Sequence, residues 1–560
     1  MVSNRKKDLS YLIAFVIAIA AINFVSNYLF TRFDFTSQKR FSLSPVTESL
    51  LKNVKDDIEV VVYLEGDFPA GFKRLRTATR DILTDFNAYA GGNFRFVFVN
   101  PLSGSEENQQ QVYQQLAEKG IEPTNLSVKT EDGLSQKMIF PAALITCKGR
   151  QIPVRLLHTK AGATPEEVLN NSIQNLEYAF ATAIKKVISG GKLRIGFTES
   201  NGELSDLQLS DAIKSLQDGF EVGRVNLSTI TFAGLDKLSL LVIAKPEKEF
   251  SESEKYKIDY FVMKGGRVLW AIDNVSAELD SLRGMGSQLT FPKKLNLDDM
   301  LFKYGVRINY NLIADMNCAQ IPLSVGNVAG QSQIQPVPWL FYPVFIPVSQ
   351  HPLVKNLDGI RSEFASTVDT IALKGVKKTV LLSSSPYSRV VEAPAEISLQ
   401  MVEQEPNPKE FAGKPKPVAV LLEGRFPSVF KLRPLPVGLV DTRPLSEVSK
   451  PTKMIIVGDG DILKNQISTK DNSPFPLGFD RYSGQQYGNK NFLLNAVDYL
   501  TDESGIISLR NKEVKIRLLD RVKIKEEKTF WQVLNLALPL IMLIVFGIFQ
   551  HYYRRQKFAR

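Results

Sequence analysis

Two long, uncharged apolar runs stand near opposite ends of the chain and constrain its fold more than any other feature. The first covers residues 9–30 and follows a basic cluster at residues 5–7. The second covers residues 530–550 and precedes a basic tail at residues 551–560. An α-helix of about 20 residues crosses the hydrocarbon layer of a bilayer. Each run therefore predicts a transmembrane helix.

The first run has an alternative interpretation as a cleaved signal peptide. A basic start and small residues around 18–21 fit such a peptide. However, the apolar run continues past those residues for the length of a full span, which favours an uncleaved signal anchor.

The second run contains Pro539, which membrane helices tolerate better than soluble helices do. Trp531 on one side and Tyr552 and Tyr553 on the other are typical of interfacial anchors. These four residues are the predicted membrane anchors.

Basic residues at both extreme ends predict that residues 1–8 and 551–560 are cytoplasmic tails. The large middle then lies in the periplasm of a bacterium, with two spans in its inner membrane. Residues 511–529 form the predicted linker to the second span. An even number of spans places both termini on the same side, which agrees with this topology.

The composition of the middle predicts folded domains. Hydrophobic residues make up 44% and charged residues 23% of the 560-residue chain, which is ordinary for globular proteins. The net charge of +10 arises partly from the terminal clusters, and no nucleic-acid recognition motif accompanies it. The two cysteines, Cys147 and Cys318, form no metal-binding motif.

Strand and helix patterns alternate along the middle, so the predicted fold class is α/β with two periplasmic domains. Residues 31–155 predict a small domain with thioredoxin-like topology but without a Cys-x-x-Cys motif. Residues 160–510 predict a larger, doubly wound domain of flavodoxin- or amidotransferase-like type. The proline-rich segment 320–352 is either an interaction loop or extended structure.

Two acidic loops follow predicted strands, where open α/β sheets bind ligands. Asp459 and Asp461 lie in one loop, and Glu199, Asn201 and Glu203 lie in the other. Two aspartates could hold a metal, but Asp-Gly at a strand end is more often a turn. These five residues are therefore candidate ligand residues only, with no metal or cofactor predicted.

No catalytic residue is predicted. The three histidines form no motif, and no His or Cys accompanies Glu199 and Glu203 as a base or nucleophile. A phosphate-binding loop of the G-x-x-x-x-G-K-[ST] type is also missing from the sequence. If the protein works with ATP, another chain must hydrolyse it.

Several stretches resemble the gliding-motility-associated ABC transporter auxiliary (GldG-like, substrate-binding-like) proteins. They are KRFSLSPVT, VVYLEGDFPAGFKRLRTATRDIL, KYKIDYFVMKGGRVLWAID and GNKNFLLNAVDYLTDESGIISLRNKEVKIRLLD. The resemblance implies an ABC permease and a cytoplasmic ATPase as partners, and a periplasmic module related to sugar- or amidotransferase-like folds. The wider family often has Gly-His-Gly-Glu where this chain has Ser200-Asn201-Gly202-Glu203, which lowers the expectation of catalysis there.

Three functional hypotheses follow. The first is a non-catalytic, membrane-anchored subunit of an ABC-type transporter required for gliding motility, whose body couples the permease to cargo or to an envelope partner. The second is a periplasmic enzyme with Glu203, Asp459 or Asp461 in its site. The third is a structural envelope scaffold.

Overall fold

The structure is a computed structural model. It describes residues 10–21, 42–103, 106–121, 123–130, 133–157, 164–189, 191–328, 331–355, 357–403, 406–437, 439, 443–502, 504–511 and 521–558. The chain divides into two units, Met1–Lys512 and Glu513–Arg560. In the first unit an apolar helix, α1, covers Ser10–Ala21. The rest of the first predicted span, residues 22–30, lies outside the described residues.

A first group of elements surrounds a four-stranded mixed sheet of order β2-β1-β5-β6. Strand β1 is parallel to β2 and antiparallel to β5. The hairpin formed by β3 and β4 is a separate two-stranded sheet that the sequence did not predict. The elements are α2 Pro45–Lys52, β1 Ile58–Val62, α3 Ala70–Tyr89, β2 Phe94–Phe98, α4 Glu106–Glu118, β3 Thr124–Thr130, β4 Gly133–Ile139, β5 Ala142–Cys147, β6 Arg150–Arg155 and α5 Pro165–Ile188.

Helix α5 belongs to the hydrophobic core of this group. Its side chains Leu176, Phe180 and Ile184 are buried together with those of β1 and α3, and the rings of Phe180 and Phe86 meet edge to face at 6.4 Å. A capping box starts the helix, because Thr164 and Glu167 satisfy each other's backbone N–H groups. The core of the small sheet therefore includes a helix beyond residue 155, and the predicted domain boundaries stay predictions.

The second group is built on a seven-stranded sheet of order β19-β22-β23-β10-β9-β7-β8. Its helices and strands are β7 Arg194–Thr198, α6 Ser210–Gln217, β8 Glu221–Val225, α7 Phe232–Leu235, β9 Leu240–Ala244, α8 Glu252–Met263, β10 Arg267–Ala271, β11 Val275–Ser276, α9 Leu279–Met285, β12 Ser287–Pro292, α10 Asp298–Tyr304, β13 Val306–Ile308, β14 Asn311–Asp315, β15 Cys318–Val328, β16 Gln331–Phe345, β17 Ile360–Arg361, β18 Val368–Thr370, β19 Val376–Ser383, β20 Ser388–Glu392, β21 Ala395–Ser398, β22 Pro417–Gly424, β23 Thr452–Val457 and α11 Asn489–Thr501. Short 3₁₀ helices cover Leu399–Glu403, Pro408–Phe411, Asp461–Leu463 and Ile506–Asn511.

The large sheet has a hydrophobic core on each face. Strand β9 is buried throughout. Its residues Leu240 and Val242 contribute to one core, whereas the alternating residues Leu241 and Ile243 contribute to the other. Strands β8, β7, β9, β10 and β23 are parallel, and continuous apolar strands are expected when both faces of a parallel sheet are covered. The predicted α/β class is confirmed.

The proline-rich segment does form extended structure. Strands β15 and β16 pair as a long antiparallel hairpin with register shifts, and the rings of Trp339 and Phe341 are buried in a satellite core. Prolines 322, 336 and 338 lie within this pairing. Proline has no N–H for a ladder, which explains why the pattern was hard to predict as strand.

The second unit contains α12, Arg521–Phe558, with Pro539 inside it. Within Glu527–Gln556 the most apolar window of 18 residues has a mean hydropathy of 2.3, and none of that window is buried. Trp531, Tyr552 and Tyr553 are exposed on this helix. Among the described residues this is the helix with the length and composition to cross a membrane, which supports membrane anchoring. The N-terminal span, residues 9–30, and the topology stay predictions.

Candidate functional site

The candidate site lies at the carboxyl ends of the parallel strands of the large sheet. After β7 the chain forms β8 on one side of β7 and β9 on the other. At such a topological switch point, the loops after neighbouring strands separate and leave a crevice. The acidic loop at residues 199–203 follows β7, and the loop at 458–461 follows β23.

A buried lysine joins the loop after β23 to the segment after β10. Lys245 directly follows β9, is 4% exposed, and places its Nζ 2.6 Å from Asp461 Oδ2 and 3.3 Å from Asp273 Oδ2. It also reaches Glu278 Oε1 at 2.7 Å. Gly460 packs against Lys245 so closely that a Cβ at position 460 would lie 2.5 Å from the lysine Cβ. The glycine in this loop is therefore required by close approach of the two strands' ends.

Asp459 is fully buried and is a hydrogen-bond acceptor on both oxygens. Asp461 N–H donates to Oδ1 at 2.7 Å, while the Ser362 hydroxyl and the Glu363 N–H donate to Oδ2. Burial and the neighbouring charges of Asp273 and Asp461 raise its pKa, and the Ser362 and Glu363 donors oppose that shift. Asp459 thus ties the β23 loop to the segment after β17 rather than facing a ligand.

The pKa values of the other charged groups in the cluster shift in different directions. Burial raises the pKa of Asp273 to about 6, although Lys245 opposes the shift. Burial would also raise the pKa of Asp461, but Lys245 and Lys464 hold it well below its usual range. Burial would lower the pKa of Lys245, but Asp461, Asp273 and Glu278 together raise it. The lysine is therefore charged, and it compensates the aspartates.

The positive charge of Lys245 bears on whether the three aspartates could bind a metal ion. Asp273, Asp459 and Asp461 each offer an oxygen within 4.8 Å of the others, as cation ligands would. The ammonium group of Lys245 already lies among two of these carboxylates. A second cation there would have to displace it, so the arrangement does not fit a resident metal.

The residues predicted in the β7 loop lie in different places. Glu199 is paired with Arg224 at 3.4 Å on the exposed side of the loop. The Asn201 side chain donates to the Glu249 carbonyl oxygen at 3.1 Å. Its backbone N–H donates to Glu203 Oε2 at 2.6 Å. The other oxygen of Glu203, Oε1, is buried and has no hydrogen-bond partner among the described residues.

A cavity of about 720 Å³, the switch-point cavity, lies over this edge of the sheet. Glu203, Lys245, Glu278 and Lys464 line it. An adjoining cavity of about 1580 Å³ lies beside it and is lined largely by the segments around α9, β15–β16 and the 3₁₀ helix Leu399–Glu403. Of the sequence-predicted candidates, only Glu203 lines the switch-point cavity.

Sequence reasoning missed Lys245, Asp273 and Lys464. The first two follow the apolar strands LLVIA and RVLWA, so the rule that selected Asp459 and Asp461 also applied to them. Their combination could not be read from the sequence, because it depends on β23 pairing with β10.

The fold is that of an α/β protein with an apolar helix whose length and composition suit a membrane. The chain belongs to the family described as "ABC-type uncharacterized transport system", whose profile matches residues 192–496, more than half of its length. A second profile, a domain of unknown function, matches residues 37–146. Membership implies association with components of an ABC transport system.

One relative is an "Uncharacterized protein" of Borreliella burgdorferi, which is 23% identical over 530 residues that cover 92% of each chain. Among solved structures, the mmIFT52 N-terminal domain matches with 12% identity and a TM-score of 0.32, over 55% of this chain and 97% of that one. A putative ThuA-like protein from Bacteroides uniformis matches with 12% identity and a TM-score of 0.25, over 55% and 91% of the two chains.

Proposed function

We propose that this protein is a non-catalytic auxiliary subunit of an ABC-type transporter. In this proposal it is anchored in the bacterial inner membrane by both apolar runs, and its periplasmic body binds a ligand or an envelope partner and couples it to the permease. The observation that carries the proposal is the meeting of the two segments next to the apolar runs on one helix, α5.

The first of these segments is α2, which follows the N-terminal run. Its N-terminal cap, Ser44, donates its backbone N–H to Glu177 Oε1 on α5 at 2.7 Å. The buried hydroxyl of Thr47 donates to the same oxygen at 2.8 Å. A buried acceptor shared by two donors holds the start of α2 in one place on α5.

The second segment is the 3₁₀ helix Ile506–Asn511, which precedes α12 in the chain. Ile506 and Leu509 pack against Ala181 of α5, and Leu50 of α2 joins the same cluster. The side chain of Lys185 fixes the approach to this segment, because its Nζ lies 2.7 Å from Asp502 Oδ1. Segments from both ends of the body therefore meet on α5. We call these contacts of α2 and of the 3₁₀ helix with α5 the base of the body.

This arrangement supports a coupling role. A movement of the segment next to either run acts on α5, and α5 lies in the core of the small sheet. A soluble binding protein that carries ligand to a transporter needs no such closure. The switch-point cavity lies beside aspartates whose charge Lys245 compensates, which supports ligand binding rather than bond chemistry.

Gliding motility is the process that the sequence resemblance adds to this proposal. Deleting the gene in a gliding host should abolish spreading on agar, and the wild-type gene should restore it. Normal spreading by the deletion strain would remove gliding from the proposal and leave the transporter role in place.

Co-purification is the test of the transporter role. The full chain, tagged and extracted from native membranes in a mild detergent, should bring down a permease and an ATPase in fixed proportion. A variant with Glu177→Leu and Lys185→Ala weakens both contacts on α5, and it should lose coupling to ATPase activity while it still binds the permease through its helices. A wild-type chain that purifies alone contradicts the proposal.

A further inference from the structure

Two arginines converge on one tyrosine where the switch-point cavity meets the adjoining cavity. Arg283, Arg481 and Tyr482 line both cavities. The guanidinium group of Arg481 lies 4.7 Å from the centre of the Tyr482 ring, and that of Arg283 lies 5.5 Å from it. Both arginines also donate to the hydroxyl of Tyr482.

These arginines differ in their partners from the other cations of the switch-point cavity. Lys293 is paired with Glu247 at 2.7 Å, and Lys464 is paired with Asp461 at 2.8 Å. Arg481 instead donates to the carbonyl oxygen of Ile467 at 2.6 Å.

The only carboxylate paired with Arg283 among the described residues is that of Asp280. It lies 3.8 Å away with its side chain 97% exposed, and a contact of that kind contributes little. The junction therefore presents two guanidinium groups that neutral oxygens, rather than buried anions, hold in place.

The adjoining cavity continues from this junction, and apolar side chains line part of it, beside polar and charged ones that include Glu396 and Glu403. Leu323, Ile334, Leu399, Val402 and Phe475 line it. Ile334 is 68% exposed, so the protein itself does not cover this wall. A positively charged junction therefore opens directly onto a cavity with an exposed apolar wall.

We infer that the two cavities form one binding site for an anionic amphiphile. A phosphate or carboxylate group is bound between Arg283 and Arg481, and an apolar chain lies along the adjoining cavity. Guanidinium groups match both anions, because their N–H groups donate in parallel to two oxygens. The inference rests on the proposed function in one respect, since it names the class of ligand that the auxiliary subunit would bind.

The test uses the full chain in lipid nanodiscs and isothermal titration calorimetry with four soluble probes. Hexyl phosphate carries both features, inorganic phosphate carries only the anion, and hexanol carries only the chain. Hexyl phosphate should bind at least tenfold more tightly than either of the others. Hexanoate should bind in the same place if a carboxylate serves as well as a phosphate.

The variant Arg283→Gln should weaken binding of hexyl phosphate about tenfold, as expected for the loss of one charge-assisted hydrogen bond. Arg283 is a suitable first variant because its contacts within the protein are long. Arg481→Gln should have a similar effect, and Arg307→Gln is the matched control, since Arg307 is exposed and lines neither cavity.

Three outcomes overturn the inference. Equal binding of inorganic phosphate means a free anion is the ligand, and equal binding of hexanol means that no anion subsite exists. Unchanged binding by Arg283→Gln removes the arginine pair from the site. Because the titration needs no permease, its failure is separable from a failure of co-purification.

Discussion

Replacing Lys245 by methionine is the sharpest test of the charge cluster. The substitution keeps the length and packing of the side chain but removes the cation that lies 2.6 Å from Asp461 and 3.3 Å from Asp273. Removing one partner of a buried ion pair typically lowers the free energy of unfolding by about 3–5 kcal/mol, because a buried charge is left uncompensated.

The contacts that the carboxylates keep in the variant narrow the range of the expected loss in unfolding free energy. Glu278 is 45% exposed and regains water when Lys245 is lost, so it adds little. Asp461 keeps its contact with Lys464 at 2.8 Å. Asp273 keeps the N–H of Gly460 as a donor. The expected loss is therefore near the lower end, about 3–4 kcal/mol.

Thermal unfolding of the full chain, followed by tryptophan fluorescence, measures this loss. The roughly 300 residues that match the transporter family have an unfolding entropy of about 0.6 kcal/mol per degree. The variant should therefore melt about 5–7 °C lower than the wild type. Trp270 is a suitable reporter, because it is buried in β10 close to Asp273.

Two further variants test whether the lower melting temperature of Lys245→Met comes from the loss of a buried positive charge. Lys431→Met removes a pair with Glu447 in which both side chains are exposed, so it should shift the melting temperature by about 1 °C or less. Adding Asp461→Asn to Lys245→Met should recover part of the loss, since it neutralises one stranded carboxylate. A Lys245→Met protein that melts within 1 °C of the wild type would refute the account of Lys245 as the compensating charge.

Three other predictions follow from the same contacts. The melting temperature of Lys245→Met should rise with millimolar Mn²⁺, whereas that of the wild type should not. The three aspartates each offer an oxygen within 4.8 Å of the others, and in the variant no ammonium group competes with the ion; equal shifts in both proteins would contradict this. Asp273 has its pKa raised to about 6 in the folded state, above an unfolded value of about 3.9, so its contribution to stability falls as the pH rises through this window. The variant Asp273→Asn lacks this pH dependence. Its free energy of unfolding minus that of the wild type should therefore increase by up to about 3 kcal/mol between pH 4 and 7. Melting curves recorded at a series of pH values test this trend. Finally, Glu177→Leu leaves the buried Thr47 hydroxyl without its acceptor, and amide exchange in α2 should become at least tenfold faster while exchange in β9 stays unchanged.

The alternation of apolar strands and amphipathic helices made the α/β class and most elements of the large sheet predictable. The loop containing Asp459 and Asp461 was found because it follows a buried strand. The sequence could not show that Lys245 neutralises this loop, because β23 pairs with β10 only after a long insertion. The meeting of Arg283 with Tyr482 joins positions 199 residues apart, and neither position carries a local signal.

The meeting of α2 and the 3₁₀ helix Ile506–Asn511 on α5 has a mechanical consequence. A pull applied between the two ends of the body would load the contacts at Glu177, Lys185 and Leu509 first. The strands of the large sheet lie outside this short load path. Tension would therefore shear the base apart before it reached the hydrogen bonds of the seven-stranded sheet, and the cavities above that sheet would keep their shape until the base gave way.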